Sequence, residues 1–203
     1  EICACLVGSE MCIRDRLYAF FAGIIAIFAP AKRYIRILSK RSVKMMKPVL
    51  RPTGEDSYVI AYLPAADGDD FDFAAELARS RRQEDERDFE GACNTRLHAF
   101  QRLVDMIPEE GETVLEWEDE PTQAAVLTGY CSGIDHFLAG DWEMAAAIFE
   151  MLLDVDPEDH TEATIPLAYT YIAMEEYESF DDIINDVNDK YIDTYAKQFL
   201  GIA

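Results

Sequence analysis

The sequence predicts an all-α fold of antiparallel helical hairpins that stack on one another, preceded by a short extended strand or arm. Apolar residues recur every three or four positions from Phe71 to the C-terminus, which is the spacing of one helix face. The last third of the chain also repeats itself with a period of 35, which places Gly133 on Ala168. A unit of that length is one helical hairpin, so the repetition predicts hairpins that bury their apolar faces against each other.

The charge of the chain is uneven and limits the classes of partner. The 203 residues include 18 basic and 40 acidic side chains, a formal net charge of −22, and half of them are hydrophobic. Such a chain is long and apolar enough for one packed core, and its negative charge opposes binding to nucleic-acid phosphates. Residues 1–44 carry eight basic and three acidic side chains, whereas residues 45–203 carry 10 basic and 37 acidic ones, a net charge of −27. The two parts therefore need separate explanations.

The first 44 residues are predicted to be a non-native leader. Residues 6–16 read LVGSEMCIRDR, which resembles the translation of a transposase adapter used in sequencing libraries, so we expect a cloning or assembly scar there. Residues 17–44 are first apolar and then basic, an order opposite to that of a secretory signal. We expect translation to begin at Met45 or Met46, with residues 17–44 being upstream DNA read in frame. The alternative is a membrane anchor whose basic flank lies inside the cell.

Cysteine usage favours a reducing compartment. Three of the five cysteines lie within the predicted leader, which leaves Cys93 and Cys131. Two separated cysteines form neither a disulfide framework nor a zinc ligand set. We therefore expect a cytoplasmic protein that holds no metal and no cofactor.

An extended arm and a degenerate hairpin are predicted between residues 45 and 108. The segment Ser57–Pro64 reads SYVIAYLP, which is rich in β-branched and aromatic residues and ends in proline, as a short strand does. We assign this strand to an arm over residues 45–70, since one strand cannot build a sheet. Residues 71–108 then show the helical spacing twice, with a first helix expected to end near Gln83 and a second expected at 88–107.

An acidic linker separates this hairpin from the repeated part of the chain. Residues 109–120 contain seven acidic residues and Gly111, so a solvated linker over 109–121, pinned by Leu115 and Trp117, is expected. Residues 122–203 are predicted to be repeated hairpins with a C-terminal capping helix. The expected helices lie at 122–139, 141–155, 162–174, 177–189 and 192–200.

The repeated segment resembles the tetratricopeptide repeat family. The residues that carry the resemblance are Gly133, Gly140-Asp141-Trp142, Ala145, Phe149 and Asp156-Pro157. In that family a small residue on the first helix lets the second helix approach closely, an aromatic residue fills the gap between them, and proline ends the hairpin. The resemblance therefore implies hairpins stacked as a short right-handed solenoid, in which Trp142 and Phe149 supply buried area.

The resemblance varies along the chain. The hairpin that follows Pro157 keeps small or aromatic residues at the structural positions, namely Ala168, Tyr171 and Tyr177. The match is good over residues 122–190 and weaker over 71–108, where it needs a four-residue insertion after Ala92. An insertion of one helical turn preserves the apolar stripe, so the first hairpin is expected to belong to the same stack.

The resemblance also implies a partner-binding groove lined by the first helix of each hairpin. Its positions are Tyr130, Ile134 and Phe137 on one helix and Ile165, Tyr169 and Ile172 on the next. Each triplet has the spacing i, i+4, i+7, which forms one apolar or aromatic face. Such a groove would take an apolar or helical segment of another protein. The alternative is that the arm or the first hairpin covers this face and makes it core.

Three acidic clusters are candidate sites that also have structural explanations. The linker at 109–121 would dock a basic partner, or would be only a solvated loop. The second cluster comprises Asp67, Asp69, Asp70 and Asp72, which lack the spacing of a calcium-binding EF-hand, so turn formation and helix capping explain them better. The third cluster comprises Asp156, Glu158, Asp159 and His160. An acidic turn between two hairpins is expected at this place in any case.

The sequence predicts a non-catalytic protein-interaction module, either an adaptor or a chaperone-like scaffold. No catalytic residue is assigned, because His98, His136 and His160 are separated and no nucleophile or phosphate-binding motif is present. The expected partner is another protein or peptide, and nucleic acid is not expected. Two alternatives are an acidic nucleic-acid mimic or regulator that binds a basic protein, and a membrane-tethered repeat protein if residues 17–44 are genuine.

Overall fold

The computed structural model describes residues 46–65, 70–108 and 110–191. The predicted leader, the aspartates Asp67 and Asp69, and the helix expected at 192–200 lie outside these residues. Within the described ranges the chain is mostly helical and carries a small three-stranded sheet. The all-α prediction is therefore corrected to a helical fold with a small sheet.

Three strands and six helices follow one another along the described part of the chain. The strands are β1 Met46–Pro52, β2 Ser57–Pro64 and β3 Val114–Leu115. The helices are α1 Phe73–Asp85, α2 Phe89–Val104, α3 Glu120–Ala139, α4 Trp142–Val155, α5 Thr164–Met174 and α6 Tyr177–Tyr191. Each helix begins within two residues and ends within three residues of its predicted bounds. None of these described helices has both the length and the apolar character needed to cross a membrane.

The strand β1 is absent from the sequence prediction. It pairs antiparallel with β2 over its whole length, with Leu50 opposite Ile60. The predicted strand at Ser57–Pro64 is confirmed, but the expectation that it forms no sheet was wrong. Pro48 and Pro52 weaken the strand signal of β1, and they are tolerated because β1 lies at the edge of the sheet.

The strand β3 lies inside the predicted acidic linker and makes part of that linker a folded segment. The N–H of Val114 donates to the carbonyl of Asp56 at 2.8 Å, and the N–H of Glu116 donates to the carbonyl of Tyr58 at 3.0 Å. β3 therefore extends the sheet in parallel to β2. Leu115 is 3% exposed, so it anchors the segment as predicted, whereas the prediction of a solvated linker is corrected here.

A buried threonine joins the sheet to the helices. The N–H of Ile60 donates to Oγ1 of Thr122 at 2.8 Å, and the Thr122 hydroxyl donates to Oδ2 of Asp119 at 2.7 Å. Ile60 is 1% exposed and Thr122 is fully buried. Asp119 also accepts the N–H of Thr122 and so caps α3. One side chain thus holds β2 against the start of α3.

Replacing Thr122 by Val is expected to lower the free energy of unfolding by about 2 kcal/mol, because the buried Ile60 N–H loses its acceptor. Valine has nearly the shape of threonine, so the loss reports the hydrogen bond. Thr128→Val is the matched control, since Thr128 is equally buried on α3 but its hydroxyl donates to the Ala124 carbonyl at 2.7 Å within the helix itself. Urea unfolding measures both losses, and equal losses would contradict this role of Thr122.

Aspartates mark the starts of the first three helices. Asp72, Asp88 and Asp119 each accept a backbone N–H from the following turn through the side chain. These bonds satisfy N–H groups that have no partner inside the helix. Helix capping, the explanation favoured for Asp72, is confirmed. Asp70 instead accepts the N–H of Met46 at 2.9 Å and holds the start of β1.

The helices α2 and α3 pack against each other and run antiparallel. Arg96 of α2 bonds to Asp135 of α3. Phe100 lies one turn further along α2, and it contacts Gly129, which lies earlier on α3. The first helix, α1, packs against both of these helices.

The helices α3 and α4 repeat this antiparallel arrangement. Gly133 of α3 lies against Phe149 of α4, whereas the earlier Gly129 lies against the later Leu152. The helix α5 in turn packs against α4 and α6. Each described helix therefore packs against the next one along the chain. The first helix of a hairpin thus lies beside the second helix of the hairpin before it.

Candidate partner-binding surfaces

The six predicted groove residues lie on α3 and α5, which both pack against α4. Four of them are partly exposed, namely Tyr130, Ile134, Ile165 and Ile172. The other two, Phe137 and Tyr169, are only 7% and 8% exposed. The face that remains open to a partner therefore depends mainly on the three isoleucines and on the exposed part of Tyr130.

The predicted repeat positions include buried and exposed side chains. The buried positions are Gly133, Ala145, Phe149 and Ala168. The partly or fully exposed positions are Trp142, Pro157, Tyr171 and Tyr177. Trp142 is 37% exposed and Tyr177 is 60% exposed, so the expectation that Trp142 supplies buried area was wrong. The hydroxyl of Tyr171 donates to the carboxylate of Glu150 and so ties α5 to α4.

Gly133 lies against an aromatic ring that leaves no room for a side chain. A Cβ atom at this position would lie 2.5 Å from Cε1 of Phe149, and Phe149 is fully buried. The ring of Tyr130 also packs on Phe149, with 5.9 Å between the ring centroids. The close approach of α3 to α4 therefore requires glycine at this position.

The first hairpin has Arg96 at the position where the second hairpin has Phe149. Phe149 lies seven residues after the start of α4, and Arg96 lies seven residues after the start of α2. The fully buried Ser80 lies nine residues before the start of α2, as Gly133 does before the start of α4. Counted from the hairpin turns, the two units align without the insertion that the sequence match needed after Ala92. Arg96 therefore has the same position in the first hairpin, counted from the turn, as Phe149 has in the second.

Arg96 is buried and bonds to the helices on both sides of it. Its Nε and Nη2 donate to Asp135 at 2.6 Å and 2.7 Å, and its Nη1 donates to Glu84 at 2.7 Å. The side chains of Arg96, Asp135 and Glu84 are 6%, 16% and 42% exposed. Burial raises the pKa of Asp135, and the Arg96 guanidinium opposes that rise. This ion cluster ties α1, α2 and α3 together and was not predicted from the sequence.

The two cysteines that the structure describes are both free thiols close to this ion cluster. Burial raises the pKa of Cys93, and the nearby Asp135 carboxylate adds to the rise. Burial also raises the pKa of Cys131, although Arg96 opposes it. A thiol with a raised pKa stays protonated at neutral pH and is a poor nucleophile.

The acidic turn between α4 and α5 binds the linker through an aromatic stack. The ring of Trp117 lies on the ring of His160, with centroids 5.0 Å apart and planes 6° from parallel. Nδ1 of His160 pairs with Asp156 at 2.7 Å, and Asp156 is 4% exposed. Asp159 accepts the N–H of Ala163 at 2.6 Å. Among the residues that the structure describes, no cluster of histidine, cysteine and acidic side chains is arranged to hold a metal ion.

Three exposed aromatic residues share one position in their hairpins. Phe89, Trp142 and Tyr177 are the first residues of α2, α4 and α6. Their exposed fractions are 62%, 37% and 60%. We term them the turn-end row, because each residue directly follows the turn that joins the two helices of its hairpin.

The packing of the helices brings the turn-end row to one end of the stack. Since α2 and α3 are antiparallel, the start of α2 lies level with the end of α3, where α4 begins. Tyr171 lies seven residues after the start of α5, and it bonds to Glu150, which lies five residues before the end of α4, so α5 runs back along α4 in the antiparallel direction. The turn that leads into α6 therefore lies on the same side as the starts of α2 and α4.

Comparison with known proteins found no matching family model, no matching curated protein and no matching solved structure. The likeness to tetratricopeptide repeats therefore depends on residues of this chain alone.

Proposed function

We propose that residues 45–203 are a non-catalytic protein-interaction module of the tetratricopeptide-like kind, an adaptor or a chaperone-like scaffold. The observation that supports this function best is the repeated apolar face on α3 and α5. Both helices pack against α4, and Ile134, Ile165 and Ile172 keep part of their surface exposed. Single exposed apolar residues are common, but residues repeated at one-face spacing on two related helices favour a binding surface.

The proposed occupant of this face is an amphipathic helix from another protein. Its apolar side would lie on the three isoleucines, as in other cases of a helix bound in a groove. Its outer side would carry basic residues, because residues 45–203 have a net charge of −27 and would repel an acidic segment. The same charge disfavours nucleic acid as the partner.

The proposed compartment is the cytoplasm. Cys93 and Cys131 are free thiols, which a reducing compartment preserves. The proposal includes no metal and no cofactor, and its right-handed solenoid follows from the tetratricopeptide resemblance.

Selection from a displayed library of random peptides of about 16 residues tests the proposed face. We expect the full chain to select peptides with apolar residues at helical spacing and basic residues on the opposite side. A triple variant, Ile134→Ala, Ile165→Ala and Ile172→Ala, is expected to bind the selected peptides at least about tenfold more weakly, since truncated anchors at an interface typically cost more than 1 kcal/mol.

The control for this experiment removes apolar surface elsewhere. Leu63 and Val104 are exposed apolar residues on β2 and at the end of α2, so the double variant Leu63→Ala and Val104→Ala should bind the same peptides as the parent does. Circular dichroism and melting temperature show whether each variant is folded. Selected peptides that bind the folded triple variant as tightly as the parent, or a failure to select any peptide, would refute the proposed face.

A further inference from the structure

Each member of the turn-end row lies between two acidic residues. Phe89 lies between Asp88 and Glu90, and Trp142 lies between Asp141 and Glu143. Tyr177 lies between Glu176 and Glu178, so it too has an acid on each side. The same pattern of acid, exposed ring and acid thus begins the second helix of every described hairpin.

The first acid of each pattern bonds to a neighbouring group in two cases, whereas the glutamate after each ring makes no ion pair in the described ranges. Asp88 caps α2, and Asp141 pairs with His136 at 2.9 Å. The three glutamates that follow the rings are all exposed, and no ion pair in the described ranges engages them, namely Glu90, Glu143 and Glu178. Capping explains Asp88, the pair with His136 explains Asp141, and the three glutamates gain only the favourable interaction of an acid in the first turn with the helix dipole, so the exposed rings remain without a structural explanation.

An exposed ring beside a carboxylate matches the chemistry of a basic side chain. The face of an aromatic ring attracts an ammonium or guanidinium group, and a neighbouring carboxylate accepts its N–H groups. An apolar side chain on the same ring would bring hydrocarbon next to carboxylates and remove water from them, which is unfavourable. The combination therefore selects Lys or Arg over an apolar residue.

Charge alone does not distinguish this end of the stack. The opposite end is also acidic, since the linker and the turn between α4 and α5 lie there. The aromatic residue Trp117 at that end is only partly exposed, and one face of its ring is stacked on His160. Exposed rings and carboxylates coincide at the turn-end row.

We propose that the turn-end row is a docking surface for a basic segment of a partner protein, whose Lys or Arg side chains lie on Phe89, Trp142 and Tyr177 and bond to the adjacent glutamates. The proposal rests on the proposed function as an interaction module, and it uses a different face from the isoleucines of α3 and α5. It also gives a definite surface to the alternative that the protein binds a basic partner.

The test measures binding of a fluorescein-labelled peptide of about 15 residues, in which Arg alternates with short Ser-Gly spacers. We expect the parent protein to bind this peptide and to bind an equally long Glu peptide at least about a hundredfold more weakly. The triple variant Phe89→Ala, Trp142→Ala and Tyr177→Ala keeps the net charge unchanged. It is expected to bind the Arg peptide at least about tenfold more weakly, because three ring contacts are lost.

Matched variants separate the surface from general attraction to an acidic protein. The variant Glu90→Gln, Glu143→Gln and Glu178→Gln should weaken binding and reduce its dependence on salt. The charge control is Glu55→Gln, Glu110→Gln and Glu112→Gln, which removes three exposed carboxylates away from the row. It should bind within about twofold of the parent. The apolar control is again Leu63→Ala with Val104→Ala.

The outcomes distinguish this surface from the proposed function. If the parent does not bind the Arg peptide, or if the ring variant binds it as tightly as the parent does, the turn-end row is not the docking surface. The isoleucine variant should bind the Arg peptide normally, and the ring variant should bind the peptides selected on α3 and α5 normally. If the expected result fails for only one of the two kinds of peptide, one proposal is overturned and the other stays in place.

Discussion

Replacing Arg96 by Met is expected to lower the free energy of unfolding by about 3 kcal/mol at pH 7, because it leaves the Asp135 carboxylate buried without its partner. The guanidinium makes two bonds to Asp135 and one to Glu84, and its side chain is 6% exposed. Asp135 keeps 16% of its surface exposed, which places the expected loss at the lower end of the range for a broken buried pair. Urea or thermal unfolding measures the loss.

The loss from Arg96→Met is also expected to depend on pH. Burial raises the pKa of Asp135, and removal of Arg96 raises it further. A carboxyl group with a raised pKa in the folded state destabilises the fold when it ionises, so the cost is full above the folded pKa. It disappears as the pH falls towards the unfolded value of about 4. The difference between parent and variant should therefore shrink between pH 7 and pH 4.

A second substitution separates the unpaired charge from lost packing. The double variant Arg96→Met and Asp135→Leu is expected to recover more than half of the lost stability, because well-packed apolar residues often replace a buried ion pair without loss. Glu84→Gln is the milder comparison, since the Glu84 side chain is 42% exposed and reaches water. A loss from Arg96→Met that is the same at pH 4 and pH 7, and that the second substitution does not reduce, would show that the ion cluster has no such role.

Replacing Gly133 by Ala is expected to lower the free energy of unfolding by about 2 kcal/mol, because overpacking in a core outweighs the better helix propensity of alanine. The new Cβ would lie 2.5 Å, 2.8 Å and 3.0 Å from three ring atoms of Phe149. That ring is fully buried, so it has little space into which to move. Chemical denaturation measures the effect.

The matched control for Gly133→Ala is Gly129→Ala on the same helix. There a Cβ would lie 3.1 Å from Cδ2 of Leu152 and 3.1 Å from Cδ2 of Phe100, so a smaller shift accommodates it. The rescue variant combines Gly133→Ala with Phe149→Leu, which removes the opposing ring, and it should be more stable than the sum of the two single effects predicts. Gly133→Ala with parent stability would disprove the close approach of α3 to α4.

The sequence alone predicts the helices well because their signals are local. The apolar spacing reports which face of each helix is buried, and aspartates such as Asp72 and Asp119 mark where a helix begins. The strand at Ser57–Pro64 has an equally local signal in its β-branched and aromatic residues. The period of 35 also relates Gly133 to Ala168, and both of these small residues are buried.

The strands β1 and β3 were missed because pairing between strands is not local. β1 carries two prolines, and β3 is a two-residue strand within an acidic segment, so neither has a strong propensity signal. Each becomes a strand because β2 supplies its hydrogen-bond partners. A sequence pattern does not show which distant segment provides them.

For the candidate surfaces too, the sequence identified residues, whereas the packing of the helices decided which of them are exposed. The groove residues and the aromatic positions were identified from the repeat, but the spacing does not show which neighbour covers a side chain. Phe137 and Tyr169 became nearly buried, whereas Trp142 and Tyr177 remained exposed. The pattern of acid, ring and acid is visible in the sequence, but its exposure at one end of the stack depends on how the helices pack.

The sequence by itself determined the helical segments, the strand at Ser57–Pro64 and the strongly negative charge of residues 45–203, because these follow from local propensity and composition. The tertiary structure alone decided that Arg96 lies buried against Asp135, 39 positions away along the chain. It also decided that the starts of α2, α4 and α6 present their aromatic residues at one end. Burial and ion pairing are properties of surfaces in contact, and those surfaces exist only after the helices have packed.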